Sequence, residues 1–149
     1  MSMSMSLPSQ ELAQAIELSR AGVRAVLNGD HQPIMALYSR ADDITIGNPF
    51  GPFALGREAT ARTIAGAAAR YDDGEIVGVD RIALHESDDL ACVVEVERFR
   101  VKVGGSPEPA SVALRVTTLF RREDGAWKIV HRHADPITTP QPTGSILQP

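Results

Sequence analysis

At 149 residues, 43% of them hydrophobic, the chain can bury one ordinary core without disulfides or a structural metal. Its formal net charge of −4 comes from 19 acids set against 15 scattered lysines and arginines, which argues against a nucleic-acid partner. The single cysteine, Cys92, falls inside an apolar strand pattern and excludes a disulfide framework, which fits a reducing, cytoplasmic setting; no apolar run is long enough for a membrane span, and no secretion signal is evident.

The opening MSMSMS is low in complexity, and residues 1–8 are expected to be disordered. Ser9 can cap a first helix in which Leu12, Ile16, Val23 and Leu27 recur near the helical period until Asn28 and Gly29. Asp30 can cap a short second helix that tolerates Pro33 in its first turn and presents Ile34, Met35, Leu37 and Tyr38. A strand from about Asp43 to Asn48 follows, with Ile44, Ile46, Asn48 and Phe50 on one face, so Asn48 is the polar member of a buried row.

Pro49, Gly51 and Pro52 predict a turn, and REATARTIAGAAAR a third helix ended by Gly74. The period then changes to two, with strands expected at Glu75 to His85, Leu90 to Val103, Ser111 to Arg122 and Trp127 to Ala134. Short turns between them imply an antiparallel meander, hence an α+β domain over residues 9–136 whose three helices pack on one face of a curved, cone-shaped sheet. Residues 137–149 form a Pro-rich tail that cannot continue the sheet but could cover a pocket mouth or a neighbouring subunit.

The meander strands have one mixed face. Val93, Glu95, Glu97, Phe99 and Val101 alternate against Cys92, Val94 and Val96, and the later strands offer Arg115, Thr117 and Arg132. Superposed, these groups make either a polar pocket floor or a solvated face laced with cross-strand ion pairs. His131, His133 and Asp135 alternate as a formal two-histidine, one-carboxylate set, but no further ligand stands upstream on a matching face, so no metal is expected. No serine sits in a strained turn before a helix, and no Gly-rich loop opens one.

On the element order, the segment ITIGNPFGPFALGREATARTIAG and the hairpin LFRREDGAWKIVHRHAD, the chain resembles the nuclear transport factor 2-like superfamily, and within it the steroid-isomerase and SnoaL-like polyketide-cyclase branch. The closing hairpin is also similar to the association domain of calcium/calmodulin-dependent protein kinase II, and the strand-turn-helix segment to limonene epoxide hydrolase. The resemblance implies a conical α+β fold that dimerises through its sheet and holds a deep, mostly apolar pocket. It places Asn48, Glu97, Arg132 and Ala134 on the pocket side and Trp127, Ile129, His131 and His133 at the subunit interface. The aspartate base of the steroid isomerases falls on Asn48, their tyrosine on Gly22 and their acid on Thr117 or Thr118, so none is kept, and an amide cannot take a proton from carbon. Of the epoxide-hydrolase set only the asparagine is matched, by Asn48; Ile46, Glu97, Glu95 and Arg132 occupy the tyrosine, first-acid, arginine and second-acid positions.

Two functions are therefore expected as alternatives. One is a homodimeric pocket protein that binds a small apolar molecule without a cofactor, with Tyr38, Asn48, Phe50, Glu95, Thr117, Val130 and Arg132 as ligand contacts. The other is an isomerase, cyclase or epoxide hydrolase acting on a small carbonyl or epoxide compound, with Glu97 as general base and Asn48 and Arg132 stabilising oxygen charge.

Overall fold

The computed structural model describes residues 7–149, so the disorder expected at the N-terminus falls largely on residues outside the described part. Helix α1 spans Gln10–Val26, where the Ser9 side chain accepts a hydrogen bond from the Leu12 N–H at 3.2 Å. Ser9 also donates from its backbone and hydroxyl to Glu86 at 2.8 and 2.5 Å, tying the helix start to the far end of a strand. Helix α2 is a single turn, Gln32–Met35, shorter than its pattern suggests. His31 rather than Asp30 occupies the cap position; the Asp30 carboxylate instead accepts from the Gln32 N–H at 3.0 Å. The Arg57 guanidinium reaches back to the turn after α2, donating to the Ser39 carbonyl at 2.8 Å.

The first strand, β1, covers Thr45–Asn48, and Gly51–Leu55 forms a second strand, β2, where a turn was expected. Pro52 is tolerated because β2 is an edge strand. Helix α3 is Arg57–Ala68; the expected stop at Gly74 comes too late, since that glycine lies within β3. The N-cap of α3 is Gly56 at φ +94°, and Asp42 supplies the missing cap by accepting from the Arg57 N–H at 3.3 Å. A Cβ at Gly56 would be strained by that φ and would lie 3.3 Å from the same carboxylate oxygen. Gly56→Ala is expected to lower stability by about 1–3 kcal/mol, read as an earlier midpoint in urea; an unchanged midpoint would refute this.

Strands β3 (Tyr71–Glu86), β4 (Leu90–Val103), β5 (Ala110–Glu123) and β6 (Ala126–Asp135) form the expected meander, and the six-stranded sheet runs β2-β1-β6-β5-β4-β3. Every neighbouring pair is antiparallel except β1 with β6, which is parallel. That pairing reflects the edge of β6 changing partners: Ile129 exchanges backbone hydrogen bonds with Leu37 and Ser39, and from His131 onward β6 pairs with β1.

Val130 marks the change as a bulge, because Leu119 pairs with His131 while Phe120 pairs with Ile129. The extra residue reverses the alternation. Trp127 and Ile129 therefore point into the core together with Arg132 and Ala134, whereas His131 and His133 point outward with Thr117 and Leu119, which corrects the single face expected for Trp127, Ile129, His131 and His133. On β5 the inner row is Leu114, Val116, Thr118 and Phe120, so Arg115 and Thr117 do not join the carboxylates. On β4 the inner row is Val93, Glu95, Glu97, Phe99 and Val101, all buried.

Candidate functional site

The space between the inner sheet face and the three helices closes into a cavity of about 70 Å³. Its walls are mostly apolar, with Val26 and Leu27 from the end of α1, Ile34 from α2, Ile64 from α3, and Phe99 and Leu114 from the sheet. Four polar residues interrupt them: Tyr38, Asn48, Tyr71 and Arg132. No carboxylate and no histidine reaches the wall.

Arg132 is brought inward by the Val130 bulge. Its two terminal nitrogens donate to the two oxygens of Glu97 at 2.7 and 3.2 Å, and both side chains are largely buried. Burial works against the Arg132 charge, but Glu97 outweighs it and raises the pKa. Two of the five guanidinium N–H groups are used in this pair; the others have no partner among the described residues. The Tyr38 ring is 1% exposed, and its hydroxyl is buried with no hydrogen-bond partner. Burial pushes that hydroxyl well above its ordinary pKa, opposed only by the nearby Arg132, so it remains a donor. Tyr71 is also raised by burial, again opposed by Arg132.

A second ion cluster lies beside the first. Glu95, 5% exposed, accepts from Arg20 of α1 at 2.6 and 3.1 Å and from Arg81 of β3 at 3.2 Å. Burial lowers the Arg20 pKa, yet the hydrogen bond and charge of Glu95 raise it further.

The expected ligand contacts thus divide. Tyr38, Asn48, Phe50 and Arg132 line the cavity. Glu95 is clasped by two arginines away from the wall, and Thr117 faces outward. Val130 packs in the bulge against the apolar core, not at the wall. The candidate base, Glu97, sits behind Arg132 with both oxygens engaged. Asn48 is half-buried, and its side-chain oxygen accepts from the Phe50 N–H at 3.0 Å, fixing the β1–β2 turn. This carries Phe50 to the cavity mouth, where its ring lies 5.9 Å from Tyr71 and the Arg70 guanidinium covers it at 4.4 Å. The steroid-isomerase tyrosine position, Gly22, has no room for any side chain, because a Cβ there would lie 3.0 Å from the Ile34 Cα.

Pattern reading missed Arg20, Arg81 and Tyr71. Arg20 had a signal: it stands four residues after Ile16 and three before Val23, inside the buried stripe of α1. A charged residue in such a stripe calls for a buried partner.

Residues 17–138 match the model of a family described as SnoaL-like domain. Among solved structures, a ketosteroid isomerase-like protein from Erwinia carotovora atroseptica is 19% identical, with 89% of this chain and 100% of that one covered at a TM-score of 0.70. A nuclear transport factor 2-like superfamily protein from Salmonella enterica serovar Typhimurium is 15% identical, with 93% and 95% covered at 0.71. A domain with a cystatin-like fold from Nostoc punctiforme is 16% identical, with 89% and 81% covered at 0.67. Likeness at this level of identity establishes the shared fold. Comparison with curated proteins gives no match.

Proposed function

The chain belongs to the SnoaL-like domain family of the nuclear transport factor 2-like superfamily, and on that premise we propose that its cavity holds a small, mostly apolar molecule without making or breaking a bond in it. The observation that carries this reading is the composition of the wall: apolar side chains plus donors, with no free carboxylate or imidazole to move a proton. Glu97, the one base the sequence offered, is held by Arg132. Size sets the ligand class, since about 70 Å³ is under half of the ~150 Å³ that accommodates benzene in an engineered apolar cavity. By that measure only about two or three heavy atoms fit as the walls stand, and a larger ligand must displace Phe50 from the mouth.

The same fold supports a homodimer through the outer sheet face. Val94, Val96, Leu119, His131 and His133 are only half-buried there, and the exposed Phe53 ring lies 5.7 Å from His133 and 6.2 Å from His131. Of the apolar residues that suggested this face, Val116, Trp127 and Ile129 belong to the core instead. A cytoplasmic setting accords with the free Cys92, and no helix among the described residues is long and apolar enough to cross a membrane.

The test is chemical-shift mapping with a panel of straight-chain four-carbon and five-carbon alcohols, amides and carboxylates. Perturbations converging on Val26, Ile64, Phe99 and Leu114 are expected for at least one chemical class. A panel that leaves all four signals unmoved at 50 mM would overturn the reading.

A further inference from the structure

Resting on that small-molecule reading, we propose that the binding site does not end at Phe50 but continues into the open cleft between β2 and α3, and that the Phe50 ring is the gate that sorts ligands by size. The ligand class that follows is an elongated, mostly apolar molecule. Its leading end sits in the cavity, and its remainder lies in the cleft once the ring has swung aside.

Two compartments meet at the β1–β2 turn. The inner one is the cavity of about 70 Å³, with room for about two or three heavy atoms. The outer one is open to solvent and is lined by Phe53 and Ala54 of β2, by Ala59 and Thr63 of α3, and by Arg70 beyond the end of that helix. Asn48 and Phe50 line both compartments, and among the described residues no other does, so these two side chains are the partition. Helix α3 runs along both sides of it, with Ile64 and Ala67 on the cavity and Ala59 and Thr63 on the cleft.

The two members of the partition differ in freedom. The Asn48 side chain is tied down, since its oxygen accepts from the Phe50 N–H at 3.0 Å and its backbone pairs with Gly51 across the turn. The same hydrogen bond holds the Phe50 backbone, which leaves the ring to turn about the Cα–Cβ bond between staggered positions. That ring is 38% exposed, and it rests against the Tyr71 ring at 5.9 Å and the guanidinium of the exposed Arg70 at 4.4 Å. A contact with a guanidinium in water is weak. Swinging the ring outward therefore breaks no hydrogen bond and leaves a ring-sized slot that joins cavity to cleft.

Shift mapping on the full-length protein tests the gate. In wild type, a five-carbon alcohol that moves the Ile64 and Leu114 signals is expected also to move the Arg70 Nε–H signal, because the Arg70 guanidinium lies over the Phe50 ring and loses its ring current when the ring leaves. Phe50→Ala is expected to bind phenol at least about 10-fold more tightly than wild type does, with shifts at Ile64 and Leu114 inside and at Ala59 and Thr63 in the cleft. Ethanol, small enough for the closed cavity, should change in affinity by less than about twofold, a size dependence that general loosening of the turn would not produce. An alcohol that moves the inner signals while Arg70 stays unmoved overturns the gate even if Phe50→Ala fails to fold, and so does a folded Phe50→Ala that binds phenol no more tightly than wild type. The pocket reading survives either result as long as the inner signals move in wild type. If no compound moves them in either protein, pocket and gate fall together.

Discussion

Glu97→Ala is expected to lower the stability of the protein by about 3–5 kcal/mol, because it strands the Arg132 guanidinium on the inner sheet face without its counter-charge. For a chain of this length that corresponds to a fall in melting temperature of roughly 6–20 °C. The loss is large because both partners are out of water: the side chains of Glu97 and Arg132 are 5% and 14% exposed. Glu97→Gln keeps an acceptor at the same place and should cost less. Replacing both partners, as in Glu97→Leu with Arg132→Met, should recover much of the loss, since a well-packed apolar pair avoids the desolvation that the ion pair must offset. Urea denaturation of the four proteins distinguishes these outcomes. If Glu97→Ala melts within 2 °C of wild type, the pair is not holding the inner face together. The same Glu97→Gln protein bears on chemistry: should a turnover substrate be found, an unaltered rate would remove Glu97 from any role as base.

Glu95→Ala should be comparably damaging, by about 3–5 kcal/mol, for a different structural reason. Glu95 joins two elements, accepting from Arg20 on α1 and from Arg81 on β3, so its removal leaves two guanidiniums uncompensated and frees the middle of α1 from the sheet. Amide exchange separates this from Glu97→Ala. Protection in α1 around Arg20 should fall in Glu95→Ala, while the backbone of β6 around Arg132 stays protected. The triple change Arg20→Met, Arg81→Met and Glu95→Leu is expected to be near neutral or more stable than wild type. Retained protection of α1 in the single variant would show that Leu12, Ile16 and Val23 hold the helix without the ion cluster.

The site was partly legible in the chain. Glu95 and Glu97 share a row with Val93 and Phe99, and the two-residue period of β4 is unbroken, so the pattern gives their common face directly, while that this face is the buried one comes from the packing of the helices against it. Asn48 was also marked, as a polar residue in an apolar row, and it does line the cavity; its side-chain oxygen, however, closes the local turn. The arginine partners of the two carboxylates were not legible, because each lies on a different element and only the docking of α1 and β3 brings them within reach. Tyr38 could be named, but not the state of its hydroxyl, which depends on what fails to surround it.

The order of the three helices, of β1 and of the meander β3 to β6, and the shared row of Val93, Glu95, Glu97 and Phe99 on β4, follow from local propensity and periodicity, which act over a few residues at a time; the strand β2, read as a turn around Pro49, Gly51 and Pro52, does not. The faces of β6 do not. One extra residue at Val130, required where the strand exchanges the Leu37–Ser39 segment for β1 as its neighbour, turns Trp127 and Ile129 into the core and Arg132 with them. Alternation read along the sequence carries no sign of a bulge, because the partner strand decides which residue is left unpaired. The same long-range packing brings Tyr38 and Arg132, which lie far apart in the sequence, to one cavity wall.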